Sequence, residues 1–124
     1  LISRHFTAPA RMPSFAKRGA NRPPRPSRLT IEDRGQYLEA SWTMPSSWNS
    51  SKGTFNLYVS VPEGNLAGEN FLLATLIPST RYTFSKELLQ PFSRAETLQF
   101  RVEASNRSYV RGEASEAAIL VKGN

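Results

Sequence analysis

Phe55, Leu57, Val59 and Val61 take every second position of one stretch, and this alternation constrains the fold of the chain more than any other feature. Successive side chains of an extended strand point to opposite faces, so an apolar period of two describes a strand with one face buried and one wet. The pattern recurs along the chain. Leu29 and Ile31 alternate in a first segment, and Leu38, Ala40 and Trp42 share a face in a second, with Glu39 and Ser41 opposite. Phe71 to Ile77 is more continuously apolar, and Arg81 to Phe84 is short. Leu98, Phe100, Val102 and Ala104 alternate again, and Ala117 to Val121 closes the series. No helical period competes strongly.

Turn-forming residues separate these segments at Asp33-Arg-Gly35, at Pro45 with the polar stretch 46–53, and at Pro62-Glu-Gly-Asn65. About seven short strands at roughly 8 to 14 residue spacing are what an all-β, seven-stranded antiparallel two-sheet sandwich requires. Trp42, Phe55, Leu57, Phe100 and Val102 are its expected inter-sheet core. With 124 residues, 39% of them hydrophobic, the chain has material for one such domain over 28–124 and none for a second core.

Residues 1–27 differ in kind. Arg4, Arg11, Lys17, Arg18, Arg22 and Arg25, with Arg28 at the boundary, are unaccompanied by any acid. They account for the whole formal net charge of +6, because the remaining basic residues are outnumbered by the 10 acids. A basic arm on a balanced domain implies two separate jobs. Arg22-Pro-Pro-Arg-Pro26 reads as an extended polyproline II spacer, and the PxxP spacing of Pro23 and Pro26 also fits a ligand for a polyproline-binding domain. Leu1, Ile2, Phe6, Met12 and Phe15 add apolar weight that suits anchoring in a partner's grooves. Pro9 and Pro13 break the amphipathic helix that an organelle-targeting segment needs. Leu1 in place of an initiator Met is compatible with processing, a fragment or trimming.

Several function classes fall away. His5 is the one histidine and there is no cysteine, so a single chain cannot assemble Ser-His-Asp, Cys-His or histidine-based zinc chemistry. Glu32 and Asp33 sit where a strand turns, the other acids are scattered, and no glycine-rich phosphate loop is present. No catalytic, metal-ligating or cofactor-binding residue and no small-molecule substrate are expected. The longest apolar stretch falls far short of the roughly 20 residues that span a bilayer, so no membrane span is expected either.

At this level of detail residues 26–122 resemble a fibronectin type III domain. The resemblance is carried by Pro26 with Leu29, by Leu38-Glu-Ala-Ser-Trp42 followed by Pro45, and by Phe100-Arg-Val-Glu-Ala104-Ser-Asn106 with Gly112 and Ser115. It implies the immunoglobulin-like sandwich already derived. The family usually places a Tyr two residues before that Phe, where this chain has Leu98, so the corner ahead of the sixth strand is expected to be built differently. A distant immunoglobulin-like sandwich stays open beside it. Arg111-Gly-Glu113 falls where some members of the family carry Arg-Gly-Asp, but Glu113 adds a methylene that displaces the carboxylate, and an ordinary polar turn is expected there. Asn49-Ser-Ser51 and Asn106-Arg-Ser108 match the glycosylation sequon, a pattern frequent by chance in a chain this rich in Ser.

The expected function is that of a non-enzymatic structural or binding protein whose displayed sandwich is anchored by its arm to a large assembly. Accessory or decoration proteins of virions, including those of tailed phages, provide the analogy, and a virion or other assembly surface the expected location. The arm residues Arg4, Phe6, Arg11, Met12, Phe15, Lys17, Arg18, Arg22 and Arg25 are the expected contacts to protein subunits. One alternative is an extracellular adhesion or receptor module binding through loop residues Trp48 and Tyr109. Another is nucleic-acid packaging, in which the arm neutralises phosphates without aromatic interleaving beyond Phe6 and Phe15.

Overall fold

The computed structural model describes residues 22–48, 52–62 and 69–121. Among the described residues seven strands run in chain order: β1 (Ser27–Asp33), β2 (Tyr37–Thr43), β3 (Gly53–Ser60), β4 (Asn70–Ile77), β5 (Arg81–Ser85), β6 (Thr97–Asn106) and β7 (Ala118–Val121). They form a three-stranded sheet ordered β1-β2-β5 and a four-stranded sheet ordered β4-β3-β6-β7, with every pairing antiparallel. The seven-stranded two-sheet sandwich anticipated from the alternation is the observed architecture.

Local chemistry sets the first hairpin. Gly35 adopts a φ of 102°, a conformation that costs a residue without Cβ little, and its N–H donates to Asp33 Oδ1 at 2.8 Å. The reversal places Leu38, Ala40 and Trp42 inward, opposite Phe55, Leu57 and Val59 of β3 and Phe100, Val102 and Ala104 of β6. Trp42 meets Phe55 across the gap between the sheets edge-on, with ring centroids 5.2 Å apart, and Phe84 meets Phe100 at 6.2 Å. All five expected core residues are buried.

Two segments depart from a simple alternating reading. In β4, Phe55 pairs with Ile77 and Leu57 with Ala74, so three steps on β4 match two on β3. This bulge holds Leu76 at a φ of 57° and 64% exposed, and it returns Ile77 to the core. In β3 the alternation predicts a wet outer face, yet Asn56, Tyr58 and Ser60 are buried along with Glu103 and Ser105 of β6. Asn56 and Tyr58 both donate hydrogen bonds to Glu103.

The corner before β6 is built without a tyrosine. A 3-10 helix, Lys86–Phe92, starts at Ser85, whose Oγ accepts from the Glu87 N–H at 3.1 Å, and it buries Leu89 and Phe92. Phe92 lies 5.3 Å from Phe71 of β4, and Leu98 is fully buried. Apolar packing takes the place of a side-chain hydroxyl bonded to backbone.

Candidate functional site

The proline-rich stretch ahead of β1 is part of the sandwich surface. Arg22 Nε donates to the Arg111 carbonyl at 3.4 Å and Arg25 Nε to the Ala114 carbonyl at 2.8 Å, each pair separated by 89 positions. Pro23 lies against Gly112, an offset of 112 − 23 = 89, so residues 22–25 run parallel to 111–114 in one register. Pro23 and Pro26 are buried against the domain. A polyproline-binding domain needs both of those prolines, and here they face inward.

This register places the point where residues 1–21 join the domain beside Arg111, at the end of the sandwich that carries the β6–β7 loop. Asn106 organises that loop. Its Oδ1 accepts from the N–H groups of Ser108 and Val110 at 2.8 and 3.0 Å, and its carbonyl accepts from the Tyr109 N–H at 2.9 Å. The tight turn holds Tyr109 at a φ of 64° with 82% of its surface exposed. Left-handed backbone is unfavourable for an aromatic residue, and the hydrogen bonds of Asn106 hold Tyr109 in it. The other loop candidate behaves differently. Trp48 is buried at the same end and packs edge-on to Phe55 at 5.4 Å.

Arg111-Gly-Glu113 is a structural corner and not a displayed tip. Gly112 is buried under Pro23, and Arg111 Nε reaches Glu103 Oε2 at 3.6 Å. Glu103 Oε2 also accepts from Asn56 Nδ2 at 2.9 Å and from the Tyr58 hydroxyl at 2.7 Å, and Thr75 Oγ1 donates to Asn56 Oδ1 at 2.6 Å. Burial, and then the adjacent Glu103 carboxylate, push the Tyr58 phenol well above its ordinary range. The hydroxyl therefore stays protonated and donating, and the cluster braces the outer face of β3 and β6.

Of the expected arm contacts, Arg22 and Arg25 are exposed on the strap just described. Arg4, Phe6, Arg11, Met12, Phe15, Lys17 and Arg18 lie outside the described residues, as does the Asn49 sequon. Asn106, the other sequon asparagine, uses its side-chain carbonyl to hold the loop. At the opposite end a cleft of about 400 Å³ opens between Leu38, Leu89, Leu120 and Val121, rimmed by the 2.9 Å ion pair of Lys86 with Asp33. Among the described residues no cluster of His, Cys, Asp and Glu could hold a metal ion, and no helix is long and apolar enough to cross a membrane.

With strand order, sheet pairing and core in place, the comparison with solved structures decides the fold. The chain matches the fibronectin type III domain of human fibronectin type III domain containing protein 3, with a TM-score of 0.58 and 19% identity over 85% of this chain and 90% of that one. This is the fibronectin type III fold. Module A71 of titin from human cardiac muscle is also similar, with a TM-score of 0.50 and 17% identity over 80% of this chain and 89% of the module. A third match, at a TM-score of 0.57 and 17% identity, is the Clostridium perfringens spore cortex lytic enzyme SleM. That match covers 80% of this chain and only 28% of the enzyme, and at such identities each likeness carries the fold alone. No family model matches the sequence, and no curated protein matches it significantly.

Two features of this fibronectin type III sandwich escaped the sequence. The inward turn of Pro23 and Pro26 was legible only as a three-residue spacing between Arg22, Arg25 and Arg28. The Glu103 cluster had no local signal, because Asn56, Thr75 and Glu103 come from three strands.

Proposed function

We propose that this chain is a non-enzymatic binding module, a fibronectin type III sandwich fastened to a larger protein assembly by its basic arm. The observation that carries the reading is the parallel register of 22–25 on 111–114, which brings the root of the arm to the end where Tyr109 is displayed. The root of the arm and the loop share one end of the sandwich, and a partner held there would leave the far end exposed. A virion accessory or decoration protein is the most specific form of this reading.

The test is incorporation. A chain lacking residues 1–21 should keep its cooperative unfolding and be absent from the assembly fraction on gradient sedimentation, while the full chain co-sediments. Normal incorporation of the truncated chain sinks the arm as anchor.

A second reading is an extracellular adhesion or receptor module that binds through the β6–β7 loop, and the strained exposure of Tyr109 favours it. In that case Tyr109→Ala abolishes binding and removal of the arm does not.

A further inference from the structure

The strap at the root of the arm has two faces. Pro23 and Pro26 are buried, whereas Arg22, Arg25 and Arg28 are exposed, so burial and exposure each repeat every third residue. Three residues of an extended chain advance about 9 Å, which sets Arg22 and Arg25 along one side of the strap, in register with Arg111 and Ala114. The row is anchored. Arg22 and Arg25 both use Nε to bond a carbonyl of the β6–β7 segment, and this orients the two terminal nitrogens of each guanidinium. Arg28 stands at a φ of 58° where the β1–β2 register shifts between Ser27 and Thr30. The bulge interrupts the three-residue period there, so Arg28 joins the strip through the cleft it shares with Arg25. Arg25, Arg28, Leu29 and Glu116 line a cleft of about 290 Å³ beside the strap.

We infer that this arginine row is a docking strip for an extended acidic protein segment with carboxylates spaced about 9 Å apart. The inference rests on the proposed anchoring role and specifies the chemistry of the partner there. Guanidinium forks match carboxylates bidentately, and side chains already held by Nε lose less freedom on binding than free arginines do. Charge along the strip favours a protein over a polyphosphate. Exposed Glu113 and Glu116 lie beside the arginines, and Glu116 shares the cleft with Arg25 and Arg28. They repel a continuous polyanion, whereas a segment of discrete, widely spaced carboxylates can fit between them.

The probe is a fluorescein-labelled peptide of Glu-Pro-Pro repeats, titrated with the full chain by anisotropy at low salt. The unaltered chain should bind it, Arg25→Lys should weaken binding about threefold with charge kept, and Arg22→Gln/Arg25→Gln/Arg28→Gln should weaken it at least about tenfold. Equal binding by Arg25→Lys overturns the oriented-fork argument, and tighter binding to duplex DNA or polyphosphate overturns the acidic-peptide assignment. Arginine Nε–Hε resonances of the unmutated chain give a readout independent of folding. Those of Arg22, Arg25 and Arg28 should shift on adding the peptide, and their invariance overturns the strip. Incorporation of a chain lacking residues 1–21 is a separate result, because that truncation leaves the strip intact.

Discussion

Gly112 and Pro23 are packed so closely that a β-carbon on the glycine would lie 2.5 Å from the Pro23 carbonyl oxygen. Backbone stands on both sides of the contact, so neither partner can swing away. The strap of 22–26 thus lies flush on the β6–β7 segment only because residue 112 has no side chain.

Gly112→Ala is therefore expected to destabilise the domain by about 1–3 kcal/mol through overpacking, measured by urea unfolding. Gly35→Ala is the control with a different cause. Among the described residues, none beyond its chain neighbours comes within 4 Å of a β-carbon there, and the cost, about 1 kcal/mol, comes from its φ of 102°. An undisturbed Gly112→Ala variant would show that the strap does not pack as described.

Trp42 carries the largest expected core effect. Trp42→Ala should cost about 3–5 kcal/mol, most of the stability of a small domain. Its buried Nε1 finds no acceptor among the described residues, so Trp42→Phe loses packing but no hydrogen bond seen there and should cost clearly less. Chemical denaturation of the two variants separates ring volume from polarity.

Glu103→Leu leaves Asn56 Nδ2 and the Tyr58 hydroxyl without the carboxylate they share, and it removes the anion 3.6 Å from Arg111 Nε. A loss of about 3 kcal/mol is expected, against a smaller loss for Glu103→Gln, which keeps an acceptor oxygen.

Tyr58 also makes stability depend on alkaline pH. Its phenol titrates higher in the folded chain than the ordinary 10.0, so its contribution is fully present below pH 10 and declines as pH rises beyond it toward the folded value. Equilibrium unfolding between pH 9 and 12 should show this decline, less steeply in Tyr58→Phe. Identical pH profiles for the two proteins would contradict the assignment.

At Tyr109 stability and function should move in opposite directions. Replacing a residue at φ 64° by Gly relieves backbone strain, so Tyr109→Gly should hold or raise the melting temperature, by up to about 1 kcal/mol in stability. Partner engagement should fall in the same variant. A drop in stability would mean that the side chain packs on the domain.

The sandwich was legible because period-two burial is written locally. Phe55, Leu57, Val59 and the Phe100–Ala104 run alternate regardless of what lies across the core, and the turn at Gly35 follows from its own residues. What local reading misjudged was how segments distant in sequence meet. Residues 22–26 read as a solvated spacer by composition, yet they lie in register on 111–114, 89 positions away. Arg111-Gly-Glu113 read as an ordinary polar turn, and nothing in its own residues showed that Pro23 packs on its glycine.

From the sequence alone follow an all-β domain, a core built on Trp42 and Phe55, a charge concentrated at one end, and too little histidine and cysteine for the common catalytic sites. Each of these depends on residue type and short-range spacing. Tertiary structure decided where the strap lies, that Glu103 sits at the centre of a buried polar cluster, that Trp48 turns inward, and that Tyr109 stands exposed. These depend on contacts between strands far apart in the chain, which close only once the two sheets have packed around their shared core.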